Sequence, residues 1–142
     1  MDCPFCDPEL FRAAEVCIEN DLCIYGSTRD PRDPPDVLPG SGIVVPRAHR
    51  VSPFEFTSEE WAATHEVLLA AKAAQDARLA PDGYTLVWNC FSEPGRPPLH
   101  AHLHVIPRFD DEPLRNAGGR SAIKVPENRR PDPFAPGNGR AR

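Results

Sequence analysis

Apolar residues come in short runs along this chain, separated by stretches rich in proline and aspartate. LCIYG (22–26), SGIVVPR (41–47), YTLVWNC (84–90) and HAHLHVIPR (100–108) read as strands from their β-branched and aromatic content. One segment has helical periodicity. It begins at Thr57, where TSEE offers a capping box with Glu60 three positions on. Trp61, His65, Leu68, Leu69 and Lys72 then recur at spacings of three and four, predicting a stripe that lies on the sheet, and the run continues to about Leu79 before PDG stops it. FRAAEVCIEN is ambiguous between one or two helical turns and an irregular lead-in. Residues 27–39, STRDPRDPPDVLP, predict a long loop, FSEPGRPPL (91–99) predicts a turn-rich connection, and 126–142 predict an irregular tail. Strands grouped around one long helix predict an α+β fold, a mainly antiparallel sheet covered on one face by that helix.

Composition narrows the class. At 142 residues the chain is sized for one core, and its 18 prolines far exceed the roughly 5% of average usage, as stiff loops would require. A net charge of −5 argues against a nucleic-acid partner held by long-range electrostatics, while leaving room for a small anionic ligand. Neither an export signal nor a membrane span is expected: the first twenty residues lack a continuous apolar run, and no segment approaches 18 apolar residues. Five cysteines, Cys3, Cys6, Cys17, Cys23 and Cys90, are an odd set and read as reduced thiols of a cytoplasmic protein.

Two motifs carry chemistry. CPFC, with Cys3 and Cys6 two residues apart, has the spacing at which two thiolates grip one zinc ion. A redox pair would instead need the start of a helix after a strand. A closed zinc site needs four ligands, and with no second cysteine pair two histidines must complete it. The candidates are His49, which follows the strand GIVVPR, His65, and the three of HAHLH. His65 reads as a partly buried histidine of the helix stripe rather than a ligand. Along a strand His100, His102 and His104 share one face, and a rise of about 3.3 Å per residue puts the outer two roughly 13 Å apart, too far for one ion. Two adjacent members can still share a metal.

HAHLHVIPR resembles the signature of the histidine triad family of nucleotide-binding and nucleotide-transferring proteins. LPGSGIVVPRAH is similar to that family's Pro-Gly-His strand, TSEEW to the start of its helix, and WNCFSEPGRPPLHAHLH keeps an Asn eleven residues before the first triad histidine. The resemblance spans roughly residues 1–108 and implies a triad-type domain over 1–110, with an N-terminal zinc-binding segment and a C-terminal extension over 111–142. It implies a structural Zn2+ held by Cys3, Cys6, His49 and His100. His102 becomes the nucleophile that attacks the α-phosphorus and forms a covalent nucleotidyl-histidine, a phosphohistidine intermediate. The implied phosphate contacts are His104, Asn89, the backbone N–H of Gly95 and Arg96, with Ile24 and Tyr25 near the base pocket. The implied partners are a nucleotide or nucleotide-conjugate substrate and a second copy of the chain in a homodimer.

Three residues depart from the family pattern. Ser41 stands where a further histidine is frequent, Arg96 replaces a glutamine, and Pro97 replaces a Ser or Thr that donates to phosphate, which proline cannot do even from its backbone. Asp30, Asp33 and Asp36 of the long loop are candidates for ribose contact. The reading is thus a nucleotide hydrolase or transferase. A nucleotide-binding module with little turnover is one rival, and a hydrolase using His100 and His102 together on a catalytic zinc is the other.

Overall fold

A computed structural model describes residues 3–27, 40–91 and 100–112 of the chain. The predicted loop beyond Ser27, most of the connection before the triad and the C-terminal extension beyond Glu112 lie outside these residues. Five strands form one antiparallel sheet: β1 (Cys17–Glu19), β2 (Cys23–Gly26), β3 (Gly42–Pro46), β4 (Gly83–Trp88) and β5 (Leu103–Arg108), in the order β1-β2-β3-β5-β4. Helix α2 (Ser58–Leu79) covers one face, as the α+β reading expects. The ambiguous FRAAEVCIEN resolves into both alternatives and a strand: a single turn α1 (Glu9–Arg12), an irregular link, then β1.

Every residue of β2 and β3 is buried. Alternation sends Cys23, Tyr25 and Val44 toward α2, where they meet Val67, Ala71, Leu103 and Val105. Ile24, Ile43 and Val45 point the other way and pack on Phe5 and Phe11 of the N-terminal segment. The sheet is therefore sandwiched between the long helix and a layer of two short helical turns built from the first dozen described residues. Gly26 is required by that second layer, since a Cβ there would meet Phe11 at 3.0–3.2 Å. The β1–β2 turn is fixed by Asn20, whose Oδ1 accepts from the N–H groups of Leu22 (3.1 Å) and Cys23 (2.8 Å), while its Nδ2 donates to the Ala63 carbonyl of α2 (3.0 Å).

The capping box forms as the sequence predicts: Thr57 Oγ1 accepts from Glu60 N at 3.1 Å, and the Glu60 carboxylate accepts from Thr57 N at 2.8 Å. Ala80, in the left-handed conformation, ends the helix.

The predicted helix stripe needs correction. The line facing the sheet is Glu60, Thr64, Val67, Ala71, Gln75 and Leu79, whereas Trp61 and Leu69 are half exposed and His65 is exposed. The stripe turns instead to the outer strand β4, where Trp61 meets Trp88 and Lys72 sits over Tyr84. Alanines populate every face of α2, so large apolar residues do not mark the buried one. Three polar residues take core positions because each makes hydrogen bonds there, although Gln75 Oε1 is left without a partner among the described residues. Thr64 Oγ1 donates to the Glu60 carbonyl (2.8 Å), Gln75 Nε2 donates to Tyr25 Oη (3.0 Å) and to the Gly40 carbonyl (3.1 Å), and Glu60 accepts from Arg50 Nε (3.2 Å).

Glu60 thus has two tasks. Burial raises its carboxyl pKa, but the Thr57 N–H, the Arg50 hydrogen bond and the Arg50 charge bring it below the usual carboxylate range. Thr57→Ala is expected to cost about 1 kcal/mol in urea unfolding, and Glu60→Ala about twice that, because it removes the cap and also strands Arg50.

Candidate active site and metal centre

Because β3 and β5 are antiparallel neighbours, the C-terminal end of β3 and the N-terminal approach to β5 emerge at the same end of the sheet. His49 lies three residues past Pro46, and His100 three residues before Leu103. The pairing is extended beyond the ladder by Ala101 N–H, which donates to the Arg50 carbonyl at 2.7 Å. Against this junction the N-terminal segment lays its first turn, the one-turn 3-10 helix Pro4–Cys6, closed by Cys6 N–H donating to the Cys3 carbonyl at 3.0 Å.

The result is a cluster of four ligand atoms, from Cys3, Cys6, His49 and His100, all within 4.8 Å of one another. His100 Nδ1 lies 3.3 Å from Cys3 Sγ and 3.5 Å from Cys6 Sγ, and His49 Nδ1 lies 3.2 Å from Cys6 Sγ. Tetrahedral zinc, with bonds of about 2.3 Å to sulfur and 2.0 Å to nitrogen, sets sulfur–nitrogen edges of about 3.6 Å. The donor set fits that ion in type, number and spacing.

The surroundings prepare the ligands. His100 Nε2 donates to the Pro46 carbonyl at 2.9 Å, which leaves Nδ1 with its lone pair toward the sulfurs. Burial lowers the His100 pKa to about 4; the Pro46 carbonyl opposes that shift, and His49 and His102 add to it. The imidazole is therefore neutral at physiological pH, the form that coordinates. Burial raises the Cys6 thiol pKa, and neighbouring Cys3 raises it further; a divalent cation between them reverses this balance.

His102 is not a member of the cluster, although it too is buried. Its Nδ1 sits 2.8 Å from the carbonyl oxygen of His100. A carbonyl can only accept, so Nδ1 carries the proton and Nε2 keeps the lone pair. His104, the next residue on the same face, has its ring centroid 4.8 Å from that of His102. The register pairs His104 with Val87 and Leu103 with Trp88, and Asn89, half-buried, follows directly on Trp88. The geometry divides the triad into one imidazole on the cluster and two clear of it. Only His104 belongs to β5; His100 and His102 precede the ladder in an extended lead-in.

Other sequence-predicted residues are placed differently. Ile24 is on the histidine face but packed among Phe5, Phe11, Ile43 and Val45, and Tyr25 is fully buried on the opposite face beneath α2. Tyr25 is therefore not brought to the histidines. Ser41 is buried just ahead of β3. Gly95, Arg96 and Pro97, and Asp30, Asp33 and Asp36, lie outside the described residues. Sequence reasoning missed Phe5, whose ring lies 5.1 Å from His102 and 6.2 Å from His100. It also missed the Arg50–Glu60 pair behind the Ala101 contact. Nothing in the spacing of either marks a role at the site, since both act through the fold.

No family model matches the chain. Among curated proteins it is similar to the purine nucleoside phosphoramidase of Escherichia coli (strain K12), 27% identical over 93 residues that cover 66% of this chain and 75% of that protein. Among solved structures it is similar to a HIT family protein from Bacillus anthracis (TM-score 0.61, 25% identity, covering 83% of this chain and 79% of that one). It is also similar to a HIT family hydrolase from Legionella pneumophila (TM-score 0.51, 26% identity, covering 74% and 91%). In sequence and fold the chain is thus similar to proteins of the histidine triad (HIT) family, and its three histidines are divided in the way that resemblance implies, one on a four-ligand cluster and two outside it.

Proposed function

We propose that this protein is a nucleotide hydrolase or transferase that acts at the α-phosphate of purine nucleoside phosphoramidates or related nucleotide conjugates, with His102 as nucleophile. The observation that carries the reading is the 2.8 Å contact from His102 Nδ1 to the His100 carbonyl. It fixes the tautomer that carries its lone pair on Nε2, the atom proposed to attack phosphorus, and it stabilises the positive charge that the ring acquires as it does so. The Nε2–P bond forms as the bond from phosphorus to the leaving group breaks. Water or another acceptor then attacks phosphorus, releasing the nucleotide and restoring neutral His102. His104 and Asn89 are proposed to support the phosphate oxygens as charge builds on them. The Gly95 N–H and the Arg96 guanidinium are proposed as further donors to the same oxygens. The substrate class is supported by the phosphoramidase named among the relatives.

We assign the Cys3, Cys6, His49 and His100 cluster to a structural zinc, which when bound ties the N-terminal segment to the end of the sheet. His102 is separate from the four ligands, so a joint catalytic zinc on His100 and His102 is disfavoured. Five free thiols suit a cytoplasmic setting, and among the described residues no helix is long and apolar enough to cross a membrane. The acidic balance of the chain speaks against nucleic acid as a partner. A homodimer is supported by β4, an edge strand among the described residues that bears Leu86 at 49% exposure, and by the exposed Trp61 and Leu69 of α2.

Three outcomes test the reading. Quenching a reaction with labelled nucleoside phosphoramidate should leave an acid-labile adduct on His102, detectable by mass spectrometry. His102→Ala should lose that adduct and about 10³-fold or more of kcat without a change in melting temperature; full turnover in this variant would sink the mechanism. Chelation should lower the melting temperature by on the order of 10 °C, with activity lost only as the protein unfolds; instant loss from a folded protein would favour a catalytic metal instead. Leu86→Glu should convert a dimer to monomer in sedimentation, and an unchanged mass would remove β4 from the interface.

A further inference from the structure

Two phenylalanines at the end of the sheet that carries the triad are exposed to a degree that packing does not require. Phe54 is 81% exposed and Phe91 is 66% exposed, yet the rings lie nearly parallel, 9° between planes, with centroids 6.5 Å apart. They come from separate segments, each tied to the triad. Phe91 stands two residues beyond Asn89 and three beyond the end of β4, whose last residue, Trp88, pairs with Leu103 next to His102. Phe54 belongs to the segment that begins at Arg50, whose carbonyl receives the Ala101 N–H between His100 and His102.

Both are held firmly by their backbones. Phe54 sits in the one-turn 3-10 helix Pro53–Glu55, closed by its own capping box: Ser52 Oγ accepts from Phe54 N at 3.3 Å, and Glu55 accepts from Val51 N at 2.6 Å and from Ser52 N at 3.3 Å. Phe91 has a φ of 64°, a left-handed conformation that a bulky side chain rarely adopts and that favours glycine. A strained backbone that presents an aromatic ring to solvent is a feature found at ligand clamps. Beside the pair, Phe56, Trp61 and Trp88 form a half-open aromatic brace with centroids 5.2–6.0 Å apart. Both tryptophans and three of the seven phenylalanines of the chain thus gather at this end of the molecule.

We infer that Phe54 and Phe91 form a stacking subsite for a flat, uncharged aromatic ring of the substrate. The inference rests on the proposed function and adds to it a preference for nucleotide conjugates with such a ring within reach of the phosphate. The two rings are nearly parallel and each keeps most of its surface exposed, so a planar ring can stack on them in the same orientation at the usual contact distance of about 3.5 Å. The nearby charges do not select an ionic ligand, because Arg50 is engaged by Glu60 and Glu55 by its own turn. The ring has two sources, the nucleobase or an aromatic leaving group.

Four compounds separate them: adenosine 5′-phosphoramidates of naphthylmethylamine and of cyclohexylmethylamine, and the two ribose 5′-phosphoramidates that lack the base. Stacking of a base on an aromatic side chain is worth enough for about a tenfold preference. The expected result is a tenfold higher kcat/KM for one aromatic member of a pair over its non-aromatic counterpart, falling toward unity in Phe54→Ala and in Phe91→Gly. A change confined to the naphthyl pair places the leaving group on the subsite; a change confined to the base places the nucleobase there. Ratios that survive both substitutions overturn the inference, as does a shift from dimer to monomer in these variants, which would make the pair an interface. Dissociation constants for the same four compounds, measured on the same variants, read the aromatic preference even if no compound is turned over. An absence of turnover would count against the proposed chemistry and not against the subsite.

Discussion

Three consecutive residues, His100, Ala101 and His102, hold the site together through four backbone and ring contacts. His100 Nε2 donates to the Pro46 carbonyl, Ala101 N to the Arg50 carbonyl, and His102 Nδ1 to the His100 carbonyl. The remaining nitrogen of His100 faces two sulfurs. Since every one of these donors has an acceptor that cannot donate back, the tautomers of both rings are settled by the backbone. The division of labour between the histidines is a hydrogen-bonding result before it is a chemical one. His100 is left with a lone pair toward the cysteines, and His102 with a lone pair away from them.

That arrangement depends on a covered sheet. If the face carrying Ile24, Ile43 and Val45 were open to water, the carbonyls of Pro46 and His100 would be shared with solvent, and the tautomers would not be fixed. Phe5 and Phe11 close it, and the turn that carries Phe5 also carries Cys3 and Cys6. The layer that excludes water and the layer that supplies two ligands are one segment. On the other side, the Glu60 carboxylate caps α2 and grips Arg50, so the helix start, the segment after β3 and the triad are mechanically joined. Displacing any of them moves Ala101.

Much of this was legible in the residues. Strand identity followed from β-branched and aromatic runs, the capping box from TSEE, and a four-ligand site from one cysteine pair in search of two histidines. What misled was the helix face, where Trp61, Leu68 and Leu69 outweigh alanine in any hydrophobic pattern, while Glu60, Thr64 and Gln75 occupy the buried line. Polar residues are cheap to bury when their partners are waiting, and the partners, Arg50, Tyr25 and the Gly40 carbonyl, are far away in sequence. Tyr25 takes the α2 side for a reason equally hidden in the chain: in a strand buried on both faces, composition does not say which face a side chain takes.

The sequence by itself determined local matters: which segments extend, where the long helix starts, and that three alternating histidines cannot all bind one ion, because strand rise is a fixed length. Only the tertiary structure decided which histidine joins the cysteines and which stands apart. That choice rests on antiparallel pairing of β3 with β5, which brings His49 to His100, and on the Pro46 carbonyl, 54 residues away from the His100 ring that it orients. Contacts of that separation leave no periodic trace in a chain, since they are specified by the fold as a whole.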